Sequence, residues 1–229
     1  MILAVTGLER EARVISRPDI VTVVGGSHSH TLGDRIRAAL DGGGARRILS
    51  IGICGALCPT LEVGACVVAT EIVSGGERLP THPQWTKELL TSLPHARSAV
   101  IAGSDRIVAH KAEKTRLHQD TGALAADMES HIAGRVAQER GLPFAAVRVV
   151  SDSSRQSLPP AALIAMSETG QVNVRAVMQS LFARPHQIPA LVRTAWEAEK
   201  AFRALFDCRH VLAAGLAPAD FGELSLDVR

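Results

Sequence analysis

Short uninterrupted runs of valine, isoleucine, leucine and alanine recur along the first two thirds of the chain. Runs without polar alternation are typical of strands that are covered on both faces of a sheet. They predict strands over residues 2–6, 20–24, 47–53, 65–73, 98–102, 123–128 and 144–150.

Helical segments fall between or after several of these strands. Residues 34–40 predict a helix that ends at the glycines 42–44, because glycine takes the left-handed conformation at a helix end without steric cost. Residues 129–139 predict a second helix, ended near Gly141. Towards the C-terminus apolar side chains recur at helical spacing, which predicts a helical extension over about 186–215.

This alternation of strands and helices predicts one α/β domain over residues 1–229. The expected architecture is a three-layer αβα sandwich around a twisted, mainly parallel mixed sheet. We find no internal repeat and no linker that would divide the chain.

Composition narrows the function classes. A formal net charge of +2 without a dense Lys/Arg patch argues against nucleic-acid binding. The four cysteines form no CxxC pair, so we expect reduced structural thiols and no zinc site. No apolar run is long enough to span a bilayer and no leader pattern is present, so a cytoplasmic protein is expected.

Carboxylates follow two of the predicted strands, as Asp127-Met128-Glu129 and as Ser151-Asp152. In an open α/β sheet ligands bind at the carboxyl edge of the strands. A carboxyl group with poor access to water can hold a proton near neutral pH and act as a general acid. The two segments therefore predict a site at this edge.

Four segments together resemble the purine nucleoside phosphorylase / methylthioadenosine nucleosidase superfamily. They are Gly7-Leu8-Glu9-Arg10-Glu11, Gly52-Ile53-Cys54-Gly55, Asp127-Met128-Glu129 and Ser151-Asp152. The resemblance covers about residues 1–155 and implies the nucleoside phosphorylase fold, cleavage of an N-glycosidic bond and a homo-oligomer.

The resemblance also implies roles for individual residues. Asp152 would be the general acid that protonates the leaving purine, and Glu129 would bind both ribose hydroxyls with Met128 packed against the sugar. Glu11 would activate the attacking water, as in the nucleosidase branch. Each carboxylate also has a structural interpretation: Glu11 in an exposed charge cluster, Glu129 in the first turn of a helix, and Asp152 in a turn.

For the base, the segment 103–108 resembles the loop that contacts the purine. Ile107 would pack on the ring, the Val108 backbone would bond its edge, and Ser151 would lie beside it. Asp152 without a partner asparagine suits adenine better than a 6-oxopurine.

The segment that the resemblance places near the nucleophile departs from the pattern of the nucleosidase branch. Gly52 and Ile53 occupy the position near the nucleophile, but the nucleosidase branch commonly has a serine where this chain has Ile53. The glycine-rich turn with Ser27 and His28 is a candidate phosphate contact through its backbone amides, or a plain surface loop. We expect no metal ion there, because His28 and His30 have no third ligand near them in the sequence.

Within the superfamily the chain most resembles the hopanoid-biosynthesis-associated phosphorylases, which implies adenine release from adenosylhopane with phosphate as the co-substrate. The alternatives are a methylthioadenosine or S-adenosylhomocysteine nucleosidase and a non-catalytic nucleoside-binding protein. No cofactor is expected, with phosphate the alternative to water as co-substrate. Retention of Glu11 favours water, whereas Ile53 and the C-terminal extension favour the unusual substrate. The amphipathic extension would form an apolar mouth, touch a membrane surface, close the core or form a subunit interface.

Overall fold

A computed structural model describes residues 1–26, 29–163 and 174–215 of the chain. The strands are β1 (Ile2–Thr6), β2 (Ile20–Val24), β3 (Ile48–Ala56), β4 (Cys66–Ser74), β5 (Glu77–Pro80), β6 (Arg97–Gly103), β7 (Ala125–Asp127) and β8 (Phe144–Asp152). The helices are α1 (Glu9–Ile15), α2 (Ser29–Gly43), α3 (Pro83–Ser92), α4 (Lys111–Thr121), α5 (Ser130–Glu139), α6 (Pro160–Leu163), α7 (Val174–Ala183) and α8 (Ile188–Gly215), with a 3₁₀ turn at Pro185–Gln187.

Parallel pairing dominates the sheet. β1 pairs in parallel with β2 and β3, β3 with β8, β4 with β6, and β6 with β7. The antiparallel pairs among the described strands are β3–β7, β4–β5 and β4–β8. Because β3, β8, β4, β6 and β7 pair in a closed circuit, the sheet curls round and the carboxyl ends of β3, β7 and β8 meet.

Helices cover both faces of this sheet. On one face α2 and α5 pack against the strands, through side chains that include Leu32, Ile36, Ala133 and Val136. On the other face α3 and α8 do so, through side chains that include Trp85, Leu89, Phe202 and Leu205. The predicted α/β fold with a mixed, mainly parallel sheet between two helical layers is confirmed.

The bounds of the strands and helices differ from the prediction where the pattern of apolar side chains is weak. β1 and β2 match the predicted ranges, whereas β7 has only three residues. α2 begins earlier than predicted and ends at the predicted glycines, where Gly44 takes a φ of 63°. β5, α3, α4, α6 and α7 were not predicted at all.

α8 spans most of the predicted C-terminal extension. Its second half closes the core, since Ala201, Phe202 and Leu205 are buried. Its first half exposes Val192 and Trp196 to solvent. No helix among the described residues is both long and apolar enough to cross a bilayer.

Candidate active site

One cavity opens at the carboxyl ends of β1, β3, β7 and β8. The predicted site residues that line it are Glu11, Ile53, Ile107, Val108, Met128, Glu129, Ser151 and Asp152. Ser27 and His28 lie outside the described residues. The fold therefore brings residues from distant parts of the sequence to one place, as expected when carboxyl ends of strands converge.

Glu11 is fixed by the backbone around it. It is the third residue of α1, and its Oε2 accepts hydrogen bonds from the amides of Gly7 (2.7 Å) and Leu8 (2.8 Å). Its Oε1 accepts from the amide of Ile53 at 2.7 Å. With only 2% of its surface exposed, Glu11 does not belong to an exposed charge cluster.

The departure from the family pattern at Ile53 leaves this arrangement intact. The contact to Glu11 uses the backbone amide of residue 53, which any residue except proline supplies. What the isoleucine side chain removes is a hydroxyl group from the cavity wall.

Three glycines make room for the three carboxylates. A Cβ atom at Gly52 would lie 2.6 Å from Glu11 Oε1, and one at Gly7 would lie 2.7 Å from Glu129 Oε1. At Gly55 it would lie 3.2 Å from the carboxylate oxygens of Asp152. The close approach that Gly52 permits is thus that of the Glu11 side chain.

Arg148, which the sequence analysis missed, organises the floor of the site. Its guanidinium is fully buried in the middle of β8, with Nε donating to Asp127 Oδ2 at 2.7 Å. Nη2 donates to Ser50 Oγ (2.6 Å) and Ser130 Oγ (3.1 Å) and lies 3.4 Å from Glu129 Oε2. Asp127 Oδ2 also accepts hydrogen bonds from the amide and the hydroxyl of Ser130.

The cluster carries more buried carboxylates than cations. Asp127, Glu129 and Glu11 all interact electrostatically with Arg148, the cation at their centre. Burial raises the pKa of Glu129 to about 8, against the lowering effect of Arg148, and the neighbouring carboxylates raise it further. Burial also raises the pKa of Glu11, although Arg148 and three backbone amides oppose the effect. Burial therefore favours the protonated form of Glu129.

This proton predicts a pH-dependent stability. Because the pKa of Glu129 is raised by folding, its stabilising effect is complete below pH 4.5 and is lost as pH rises through about 8. Glu129→Gln mimics the protonated carboxyl group and cannot ionise. We expect its Tm to match the wild type near pH 5 and to exceed it by roughly 3 °C or more at pH 9, since about 1 kcal/mol shifts Tm by about 2–4 °C at this size.

Calorimetry at the two pH values checks this expectation. Glu62→Gln serves as the matched control, because Glu62 is exposed and lies outside the cluster. A Tm difference between Glu129→Gln and the wild type that is the same at pH 5 and pH 9 contradicts the assignment of the proton to Glu129.

Asp152 is paired with a second buried cation. Lys114 of α4 donates from Nζ to Asp152 Oδ2, and Ser151 Oγ donates to Oδ1 at 3.1 Å. Asp152 is the last residue of β8 and is 9% exposed, so its position in the strand excludes the turn interpretation. The sequence analysis had not anticipated Lys114.

The predicted base loop is tied to α5. Nε2 of buried His131 lies 3.0 Å from Oδ1 of Asp105, and a Cβ at Gly103 would collide with the His131 ring. This contact fixes the loop that places Ile107 and Val108 in the cavity wall. His131 is a further residue that the sequence analysis did not single out.

Arg106 and Arg10 form ion pairs with other residues. Arg106 pairs with Glu113 at 2.6 Å. Arg10 pairs with Glu199 at 2.7 Å and stacks on Phe202. Within the described part of the chain, no group of three or more His, Cys, Asp and Glu side chains is arranged to hold a metal ion.

A family model described as the phosphorylase superfamily matches residues 35–183. No curated protein matches the chain.

Solved structures share the fold at low sequence identity. A 5′-methylthioadenosine/S-adenosylhomocysteine nucleosidase from Helicobacter pylori, bound to butyl-thio-DADMe-Immucillin-A, aligns with a TM-score of 0.63 at 16% identity, covering 93% of this chain and 96% of that one. A futalosine hydrolase mutant of Helicobacter pylori aligns with a TM-score of 0.60 at 16% identity, covering 80% of this chain and 96% of that one. An S-adenosylhomocysteine nucleosidase from Streptococcus pyogenes, bound to 5-methylthiotubericidin, aligns with a TM-score of 0.58 at 18% identity, covering 89% of this chain and 95% of that one.

Proposed function

The chain belongs to the phosphorylase superfamily of enzymes that act on N-glycosyl bonds, and on that premise we propose that it hydrolyses an adenine nucleoside to release adenine. The observation that carries the proposal is the cavity in which Glu11, Glu129 and Asp152 converge. Each of the three steps of the reaction needs one such group: activating the nucleophile, holding the sugar and protonating the leaving base.

Water is the nucleophile that the geometry favours. The amides of Gly7, Leu8 and Ile53 are the backbone donors that an anion would use, and all three already donate to Glu11. A phosphate dianion would also lie beside buried carboxylates whose shared cation, Arg148, is already engaged. Glu11 instead has a free lone pair on Oε1 with which to accept a proton from water.

The reaction balances on these residues. Water forms the new bond to C1′ of the ribose and gives its proton to Glu11, while the bond from C1′ to N9 breaks. Asp152 gives a proton to N7 of the leaving adenine, and Glu129 binds the ribose hydroxyls as charge develops on the sugar. Ile107 and Val108 cover the base, Ser151 lies beside it, and Met128 packs on the sugar.

The finer proposal is that the 5′ substituent is the polycyclic lipid of adenosylhopane. It rests on the family resemblance and on α8, where Ile188, Val192 and Trp196 form an exposed apolar stripe at helical spacing. Glu197 on the same helix is close enough to feel the charges of Asp152 and Lys114, so this helix borders the site. An apolar surface there suits a lipid tail.

The second candidate substrate is 5′-methylthioadenosine or S-adenosylhomocysteine. The Helicobacter pylori nucleosidase of similar fold is named for these compounds. In both cases the chemistry at C1′ is the same, so the two proposals differ only in what occupies the space beyond the 5′ carbon.

Adenine release from adenosylhopane and from methylthioadenosine, each with and without phosphate, tests the proposal. We expect release from adenosylhopane at a rate that phosphate does not change, with free ribosylhopane as the sugar product. Faster release from methylthioadenosine would favour the second candidate. A requirement for phosphate, with the 5′-substituted ribose released as its 1-phosphate, would overturn hydrolysis. No release from either nucleoside would overturn the activity itself.

A further inference from the structure

Lys114 makes a set of contacts that the proposed reaction does not use. Its side chain is 1% exposed although it projects from the polar helix α4. Besides Asp152, its Nζ donates to the carbonyl oxygens of Ser153 (2.9 Å) and Gln156 (3.4 Å). An ammonium group has three N–H donors, so these contacts engage all of them.

Burying an ammonium group costs free energy unless it is paired. Lys114 meets this condition through Asp152 and the two carbonyl oxygens. The contacts of Lys114 converge on the end of β8, where Asp152 leaves the strand. The lysine therefore acts on the carboxyl group and on the loop that follows it.

The groups that surround Asp152 come from several elements. Lys114 approaches from α4, and Cys54 approaches from β3, where burial raises the pKa of its thiol and the nearby charge of Asp152 adds to that effect. Glu197 from α8 is influenced by both Asp152 and Lys114, and Arg193 lies 3.9 Å from Glu197. Lys114 is the cation in direct contact with the Asp152 carboxylate.

We propose that Lys114 is a positioning residue that holds the Asp152 carboxyl group in the orientation from which it donates its proton to the base. The inference rests on the proposed function, in which Asp152 is the general acid. The same ammonium group bonds to the carbonyl oxygens of Ser153 and Gln156, so it fixes the carboxyl group and the loop after β8 relative to each other.

Comparing adenine release with the release of a leaving group that needs no proton separates this role from a structural one. Lys114→Met removes the ammonium group and keeps the length, and we expect it to lower kcat for adenine release by about tenfold or more. Lys114→Arg keeps a cation that can reach the carboxylate and should restore much of that rate. Lys111→Met, an exposed lysine on the same helix, is the matched control and should leave kcat unchanged.

A second substrate shows whether the Lys114→Met site is intact. In 4-nitrophenyl riboside the nitrophenolate leaves without being protonated, so its hydrolysis does not need the acid. We expect Lys114→Met to slow adenine release at low pH more than it slows nitrophenolate release. An equal loss on both substrates means that the variant has damaged the whole site, which contradicts a role specific to the acid.

Asp152→Asn, measured in parallel, distinguishes a failure of the proposed function from a failure of the role proposed for Lys114. If Asp152→Asn turns over normally, the acid assignment and hence the proposed mechanism fail. If Asp152→Asn is inactive while Lys114→Met releases adenine at the wild-type rate, only the role of Lys114 is overturned.

Discussion

Replacing Asp152 by asparagine is expected to lower kcat for adenine release by about 10²- to 10⁴-fold, the range that a positioned general acid contributes. Asparagine keeps the shape and can still bond to Ser151 and Lys114, but it has no proton to give to N7. Hydrolysis of 4-nitrophenyl riboside should fall far less, because that leaving group needs no proton. Steady-state kinetics on the two substrates provide the measurement.

Stability has to be separated from chemistry in this variant. Asp152→Asn leaves the Lys114 ammonium buried without its carboxylate, and removal of one partner of a buried ion pair costs about 3–5 kcal/mol. The double variant Asp152→Asn/Lys114→Met removes the unpaired charge and should recover stability but not adenine release. Asp120→Asn, an exposed aspartate on α4, controls for the substitution itself. Normal turnover by Asp152→Asn rules out its role as the acid.

The sequence predicted the strands whose apolar side chains are continuous, and it missed several helices, among them the polar helix α4. β1 is buried at every position, and its predicted range matches the structure. α4 has eleven residues, of which Lys114 is the buried one, so it offers no apolar stripe that a pattern could detect. The element that supplies the cation beside Asp152 was thus invisible to a search for hydrophobic periodicity.

The candidate site divides in a similar way. Its carboxylates were predictable because each follows an apolar strand, and strand ends converge in an α/β sheet. Arg148 had a signal that was overlooked: a charged residue in the middle of the apolar run 144–150 must be paired when that strand is buried. Lys114 and His131 had none, since their partners are distant in sequence and are brought close only by the fold.

Glu11→Gln is expected to abolish hydrolysis on both substrates, with a loss of about 10²- to 10⁴-fold in kcat. Activation of water is common to the two reactions, so, unlike Asp152→Asn, this variant should not spare 4-nitrophenyl riboside. In the wild type, activity should fall as pH drops through the pKa of Glu11, which burial raises, because the base must be ionised. The variant should lose that acidic limb.

Glutamine at position 11 also tests how the turn is built. Its single carbonyl oxygen cannot accept from Gly7, Leu8 and Ile53 as the two carboxylate oxygens do, and its amide nitrogen would face another donor. Some stability should therefore be lost, and binding of adenine to the variant shows whether the base site persists. If phosphate restores adenine release to Glu11→Gln, the amides that Glu11 occupies are an anion site after all. Phosphorolysis would then replace hydrolysis as the reaction of this protein.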